Sequence, residues 1–524
     1  MSSVRGTLLI GGGDVEGGGA SFAASDPVTG DRIEGVFRAA TEEQIELAVG
    51  EAARAAAPFE RTTGAERGAF LRAIGDCLRR LSDSWLERAG LETGLPAARL
   101  LGERDRTLRQ IELFAGVVEE GSWVDARINR GNPSREPPKP DLRSMLVPLG
   151  PVAVFGSSNF PLAFSIAGGD TVSALAAGCP VVAKAHPAHP GTCELAGRAI
   201  QQAVARCGLD AGVFGMVQGA EPRVGEALVL AGGIEAVGFT GSFRGGQALL
   251  RIANGRAKPI PCFAEMGSAN PVVVLGSALG SEDLACRLVD SALLACGQFC
   301  TSPGLVFVPR GPEGDAFAEH LAARWRAAVV PGMVHCAIAE AQRGEADEVA
   351  ALPGVRLLAE ASTTPCAAFA RPLLLEADAS LLARRSRLCE EIYGPLSIVV
   401  RYGGRDELLD CLSLLKGQLT ATLCGSPEEL RGHGELRRRL ARMAGRILFS
   451  GVPTGVEVGY AMQHGGPWPA SSDARFTSVG ASAIRRWARP LCYQDAPGEL
   501  LPPALRDGNP LGIRRTVDGR PSLE

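Results

Sequence analysis

The chain has 524 residues, 46% of them hydrophobic and 21% charged, with a formal net charge of −4. That length gives room for two to four domains of roughly 100–200 residues, each with a sizeable core. The apolar content excludes intrinsic disorder and collagen-like repeats, and the mild acidity leaves no basic stripe for neutralising phosphates, so nucleic acid is not an expected partner.

Residues 1–13 lack the basic start, continuous apolar core and small-residue cleavage site of an export signal, which sets a cytoplasmic expectation. Residues 41–120 read mainly as helices, with Ile45, Val49, Ala53 and Ala56 at three-to-four residue spacing. The Pro-rich stretch 125–143 reads as an exposed connection or edge hairpin, because Pro cannot donate to a central ladder. From residue 150 short apolar runs alternate with amphipathic segments: 152–155 then 161–177, 181–183 then 191–206, 213–217 then 223–230, 236–239 then 243–252. This rhythm predicts a parallel sheet covered by helices on both faces, with ligands at the carboxyl ends of the strands. The charge-free run 144–169 is broken by Pro148, Pro151 and Pro161, so it reads as strand, loop and helix and no membrane is an expected partner.

A second α/β series follows at 271–275, 284–294, 305–308, 317–329, 396–400, 408–415, 421–423, 427–443 and 447–449. Two doubly wound units suggest a cofactor and a substrate meeting at a cleft. The Pro-rich tail 489–524 has little periodicity and is expected to wrap a neighbour or stay partly loose. Fourteen cysteines without a dense even framework fit a reducing compartment, and without a CxxC pair or an HExxH no metal site is expected. Only Lys139, Lys184, Lys258 and Lys416 represent lysine among 54 basic residues, so each invites a question that an arginine would not.

Cys300, in Gly297-Gln-Phe-Cys-Thr301, sits between a helical segment and a strand, where a thiol can be presented as a nucleophile; a single cysteine among fourteen is more often a small buried hydrophobe. Glu265 ends an apolar run, where a carboxylate needs a task or an ion-pair partner. Asn159, in Gly156-Ser-Ser-Asn-Phe-Pro161, follows the first strand of the series and reads either as a helix cap or as an amide aimed at an oxyanion. Gly241 and Ser242, with Gly246 following, form a strand-to-helix turn that suits a phosphate or simply a tight turn. Lys184 ends the second strand, as a cleft-edge ammonium or a snorkelling side chain.

Together these motifs resemble the aldehyde dehydrogenase superfamily: the Asn-Phe-Pro turn, the strand ending in Lys184, Phe-Thr-Gly-Ser at 239–242, Glu265-Met-Gly, Gly-Gln-Phe-Cys at 297–300, Glu-Glu-Ile-Tyr-Gly-Pro-Leu at 390–396 and Arg-Pro-Leu-Cys-Tyr at 489–493. Lys-Ala-His-Pro at 184–187, Gly-Ser-Phe-Arg-Gly-Gly at 241–246 and the 466–480 segment resemble the branch that includes 2-oxoglutarate semialdehyde dehydrogenases and fatty aldehyde enzymes. The resemblance implies two doubly wound Rossmann-like domains plus a small β oligomerisation arm. The dinucleotide-binding domain is expected at 1–124 and 149–262, the catalytic domain at 263–485, the arm at 125–148 and 486–505, and a tail at 506–524; a homodimer or homotetramer is expected.

The resemblance also implies that Cys300 attacks an aldehyde, Asn159 and the Cys300 N–H hold the oxyanion, and Glu265 activates the water that hydrolyses the thioester. Lys184 would bind the adenosine ribose, Glu391 the nicotinamide ribose, and the Gly241–Ser242–Gly246 turn the diphosphate. Many NAD-dependent relatives carry Glu where this chain has Pro187, so NADP is the expected cofactor, with NAD possible and with Lys184, His186 and Arg223 available to the 2′-phosphate. Phe243 and Ser158 replace the residues usual at their positions. Phe160 and Arg475 are the expected substrate contacts; Arg475 would take a substrate carboxylate unless it pairs locally with Asp473.

Alternative readings are a fatty or other aliphatic aldehyde dehydrogenase, a CoA-acylating enzyme, which retention of Glu265 argues against, and a binding protein on a retired scaffold. A cysteine acyltransferase would need a dedicated His, and nothing in the sequence pairs His320, His335, His433 or His464 with Cys300.

Overall fold

The computed structural model describes residues 4–524; the first three residues of the expected 1–124 segment and of the 1–13 reading lie outside the described residues. The expected helical region is three helices, Glu42–Glu60, Gly64–Thr93 and Ala97–Glu120. The first two start at reciprocal caps, Thr41 with Gln44 and Thr63 with Glu66, which satisfy backbone N–H groups that the helix itself leaves free. Gly94 and Gly121 end the second and third in left-handed conformation.

The first sheet is ordered Cys262–Glu265, Ala236–Thr240, Val152–Phe155, Val181–Lys184 and Phe214–Val217, all parallel, with Leu8–Ile10 and Gly13–Val15 added antiparallel at one edge. Val152–Phe155 and Phe214–Val217 are buried throughout, as apolar strands covered on both faces must be. The chain moves outward from Val152–Phe155 through two crossovers, then returns through helix Pro222–Leu230 to lay Ala236–Thr240 on its other side. The order therefore reverses between Val152–Phe155 and Ala236–Thr240, and a crevice opens where their carboxyl ends diverge.

The second sheet is ordered Val355–Glu360, Leu373–Asp378, Leu396–Tyr402, Leu305–Pro309, Val272–Val274, Gln418–Cys424 and Ala444–Phe449, parallel except for Val355–Glu360. Apolar clusters cover both faces of each sheet, and Trp85, Trp325 and Trp487 are wholly buried with each indole N–H donated to an oxygen. Strand Cys262–Glu265 belongs to the first sheet, so the chain crosses to the second just beyond the expected 262/263 boundary.

Three expectations change. The helix expected over 161–177 starts only at Gly169, because the Glu103 carboxylate accepts the N–H groups of Leu162 and Ala163 at 2.8 and 2.9 Å and holds that stretch as turns. The helix expected over 427–443 is two, Pro427–Gly432 and Gly434–Met443, parted at His433. The tail is not loose: Arg515–Val517 and Arg520–Ser522 complete a five-stranded sheet with Arg127–Asn129, Leu142–Pro148 and Ala488–Gln494. Arg515, 5% exposed, ties the tail together by donating to the Arg506 carbonyl at 2.6 Å and to that of Glu524.

Candidate active site

A cleft of about 1300 Å³ lies between the carboxyl ends of the first sheet and the segments that lead into the strands of the second. Cys300 lies on its wall, in the turn before strand Leu305–Pro309. Ahead of it Ala295, Cys296 and Gly297 have φ of 47°, 60° and 65°, a left-handed run that costs about 1–2 kcal/mol for each non-glycine residue. Only glycine fits at 297, where a Cβ would stand 2.4 Å from the Gly394 carbonyl carbon. The turn is held from both sides. Gln298 accepts the Val334 N–H and donates to the Ala295 carbonyl, each at 2.9 Å, while the Asn270 amide donates to the carbonyls of Cys300 and Ser302 at 2.8 and 3.0 Å.

Glu265 closes the edge strand of the first sheet. That edge is covered by residues 470–472, through Met266 N–H to the Ala470 carbonyl and Ser472 N–H to that of Ala264. The same segment brings His464 and Ser478 against the carboxylate. His464 Nε2 lies 2.9 Å from Glu265 Oε1 and 3.4 Å from Cys300 Sγ, and the Ser478 hydroxyl donates to Glu265 Oε2. Burial opposes ionisation of Glu265, but the imidazole charge and the hydrogen bonds of His464 and Ser478 outweigh it and hold the carboxyl below its usual range. Burial, reinforced by the Glu265 charge, pushes the Cys300 thiol well above its usual value, so the resting group is a thiol that needs a base. The Asn159 amide reaches over the same sulfur's turn, donating to the Gln298 carbonyl at 3.0 Å.

The rest of the cleft suits an extended anionic dinucleotide. Lys184 ends its strand deep in the wall; burial pulls its ammonium down to about 8, and no carboxylate among the described residues pairs with it. His186 accepts the Ala188 N–H at Nδ1 (3.2 Å), which leaves its other nitrogen free. Its ring lies 5.2 Å from that of His189 and 6.1 Å from that of His335, which arrives from the other side of the cleft. Burial and those neighbours keep His186 well below its usual pKa, and burial takes His335 to about 4. Ser242 caps helix Phe243–Gly255 by accepting the Gly245 N–H at 3.2 Å, and the first helical residues, Phe243 and Arg244, line the cleft with backbone N–H groups that the helix itself does not bond. Phe239 packs beneath that turn, so a Cβ on Gly241 or Gly245 would stand 2.7 or 3.0 Å from its ring. Glu391 lies so close over Gly267 that a Cβ there would be 1.6 Å from its carboxylate, and burial pushes Glu391 up to about 8.

The model of the aldehyde dehydrogenase family matches residues 15–430, a span that contains Asn159, Lys184, Glu265, Cys300 and Glu391. The chain belongs to the aldehyde dehydrogenase family. It is 48% identical over 524 residues to alpha-ketoglutaric semialdehyde dehydrogenase 2 of Azospirillum brasilense, covering 99% of each chain. To the alpha-ketoglutaric semialdehyde dehydrogenase of Acinetobacter baylyi it is 45% identical over 488 residues, 92% of each. Among solved structures, betaine aldehyde dehydrogenase from Staphylococcus aureus matches with a TM-score of 0.81 at 17% identity over 94% of this chain and 98% of that one. An aldehyde dehydrogenase from Bacillus cereus matches at 0.80 and 21% over 94% and 96%. The protein is thus an oxidoreductase acting on aldehydes, in a family that uses NAD(P).

Within this aldehyde dehydrogenase the cleft gathers most of the residues expected from sequence: Cys300, Glu265, Asn159, Phe160, His186, Gly241, Ser242 and Glu391. Lys184 stands behind it at the strand end, and Gly246 lies beneath the turn, where a Cβ would meet the Met266 sulfur at 2.7 Å. Arg223 and Arg475 do not line the cleft. Arg223 is exposed and paired with Glu221 at 2.7 Å, and Arg475, 82% exposed, is bound to Asp473. Phe243 packs edge-on against Trp468 at 5.5 Å on the cleft wall. Sequence reasoning misses four residues. His464, which nothing in the sequence pairs with Cys300, stands 3.4 Å from its sulfur, brought there by a fold-back that leaves no local motif. Asn270, with φ 47°, was signalled only by the Asn-Pro pair. Arg99 and Arg106 were hidden among the many arginines of the third helix.

Proposed function

We propose that the protein oxidises 2-oxoglutarate semialdehyde to 2-oxoglutarate with NADP as preferred cofactor. The observation that carries the chemistry is the cluster of Cys300, His464 and Glu265 under the Asn159 amide; near full-length likeness to two alpha-ketoglutaric semialdehyde dehydrogenases supports the substrate. Cys300 gives its proton to His464 Nε2 and attacks the aldehyde carbon, while the Asn159 amide and the Cys300 N–H hold the resulting oxyanion. The dinucleotide, when bound, accepts the hydride that converts the thiohemiacetal into a thioester. Glu265 then takes a proton from water, water attacks the thioester carbon, and Cys300 leaves. His464 Nε2 contacts both groups in turn: it first accepts the Cys300 proton, the imidazolium so formed then holds Glu265 ionised for the hydrolysis, and the leaving Cys300 takes that proton back.

Lys184 and Glu391 would hold the two riboses, and the turn at Gly241 and Ser242, with Gly246 packed beneath it, would face the diphosphate. Lys184 and His186, with Pro187 in place of an acid, favour a 2′-phosphate; Arg223 would have to leave Glu221 to join them. The segments 4–124 and 149–265 form the dinucleotide-binding domain, 266–485 the catalytic domain, and the five-stranded arm, including the tail, pairs copies into a homodimer or homotetramer. All fourteen cysteines are free thiols, in keeping with the cytoplasm. The test is kcat/KM for 2-oxoglutarate semialdehyde, hexanal and decanal with NADP and with NAD. Preference for the oxo acid and NADP is expected; preference for decanal would move the enzyme to fatty aldehydes, and strong NAD preference would refute the cofactor assignment.

A further inference from the structure

Helix Ala97–Glu120 sends Arg99, Glu103 and Arg106, one above another on a single face, into the cleft. Their positions relative to the reacting groups are set by an aromatic wall. The Arg99 guanidinium lies 4.4 Å from the ring of Phe160 and 5.4 Å from that of Phe299, the residues next to Asn159 and Cys300. Arg106 lies 4.9 Å from the ring of Phe164. Stacking of this kind holds a guanidinium flat and leaves its edge for hydrogen bonds.

The charges on this face do not balance. Glu103 pairs with Arg99 at 2.8 Å, and its other oxygen is taken by the N–H groups of Leu162 and Ala163. Arg106 meets only neutral oxygens, Gln110 Oε1 at 3.3 Å and the Val456 carbonyl at 3.4 Å, and no carboxylate among the described residues lies within ion-pair reach of it. Arg106 Nη2 and Arg99 Nε are buried with no partner. Burial pulls the Arg106 pKa below its usual value, the mark of a desolvated cation. Glu103 and Glu265 oppose that fall only from beyond ion-pair distance; a recessed cation without a contacting counter-ion is costly, and an anionic group that enters the cleft relieves that cost.

We propose that Arg106, flanked by Arg99, is the carboxylate-binding subsite of the substrate pocket, in place of Arg475. The inference rests on the oxo-acid reading above and gives it a residue. The guanidinium edge of Arg106 takes the substrate carboxylate, Arg99 supplies a further donor, and the chain between carboxylate and aldehyde lies along Phe160 and Phe299 toward Cys300. Glu103 ties the helix to the turns that follow Asn159, so the carboxylate grip and the oxyanion donor move as one body.

The test compares Arg106→Met, Arg106→Lys and Arg475→Met with the wild-type holoenzyme, on 2-oxoglutarate semialdehyde and on hexanal, together with inhibition by glutarate competing with hexanal. Loss of a charge-assisted pair predicts roughly a 10- to 100-fold fall in kcat/KM for the oxo acid in Arg106→Met, chiefly through KM, with hexanal turnover nearly unchanged and the glutarate Ki raised in parallel. Arg106→Lys falls between, and Arg475→Met matches the wild type. Equal losses on both aldehydes, or no change in the glutarate Ki, overturn the proposal; if Arg106→Met does not fold, Arg106→Gln takes its place, and an unchanged substrate preference there does so. Wild-type preference for hexanal with Arg106-dependent glutarate inhibition would sink the substrate reading and leave the subsite standing.

Discussion

Replacing His464 with Asn removes a nitrogen that stands 2.9 Å from Glu265 and 3.4 Å from Cys300, and leaves an amide that cannot carry a proton between them. Two consequences follow from the geometry. The Cys300 thiol, already pushed well above its usual value by burial and by Glu265, loses its acceptor, and removal of a positioned base costs about 10²–10⁴ in rate. Glu265, held low largely by the imidazole, then feels burial with much less opposition, so its carboxyl rises and deacylation moves to higher pH. Stopped-flow absorbance of the reduced cofactor separates the effects. The burst reports acylation and should slow by at least about 10², while the steady-state limb should shift toward alkaline pH; iodoacetamide alkylation of Cys300 should slow in step. An unchanged burst and an unchanged alkylation profile would refute the assignment of His464 as the thiol's base.

Asn159→Ala should lower kcat about 10²–10³-fold, read by steady-state kinetics, because one oxyanion donor is lost. Pro187→Glu should raise the NAD-to-NADP ratio of kcat/KM by about tenfold or more, since a carboxylate beside the 2′-phosphate costs several kcal/mol. Gly297→Ala should destabilise the protein by more than the roughly 1–2 kcal/mol of its left-handed backbone, because its Cβ also meets Gly394, and urea unfolding measures the change. Glu391 is raised from 4.5 to about 8, so the folded state binds a proton that the unfolded state has released across that window. Stability of the cofactor-free enzyme therefore falls as pH rises from 4.5 toward 8, and thermal melts of Glu391→Gln should lose that part of the dependence.

The alternating rhythm from residue 150 was legible because parallel strands buried on both faces are near-continuous apolar runs, and Val152–Phe155 and Phe214–Val217 differ little from their expected bounds. The region between residues 330 and 395 was not. Helix Cys336–Ala350 buries Ala339, Gln342, Ala346 and Val349, a face too small and too polar to stand out as a period. Cys300, Glu265 and Asn159 could be picked out because each sits at a strand end or turn with a local signature. His464 and Arg106 could not, since one reaches the site through pairing of residues 470–472 with a sheet edge and the other through the packing of a helix distant in sequence. Arg475 carried a local signature and was bound locally, to Asp473, as the alternative reading of that residue held.

The central claim is that the aldehyde carbon becomes covalently attached to Cys300 and is released by Glu265. Intact-mass and peptide-mapping analysis of Glu265→Gln, incubated with 2-oxoglutarate semialdehyde and NADP, tests it most directly. The account predicts an acyl adduct on Cys300 that needs both aldehyde and NADP and is absent from Cys300→Ala. No adduct, or an adduct on another of the fourteen cysteines, would contradict it.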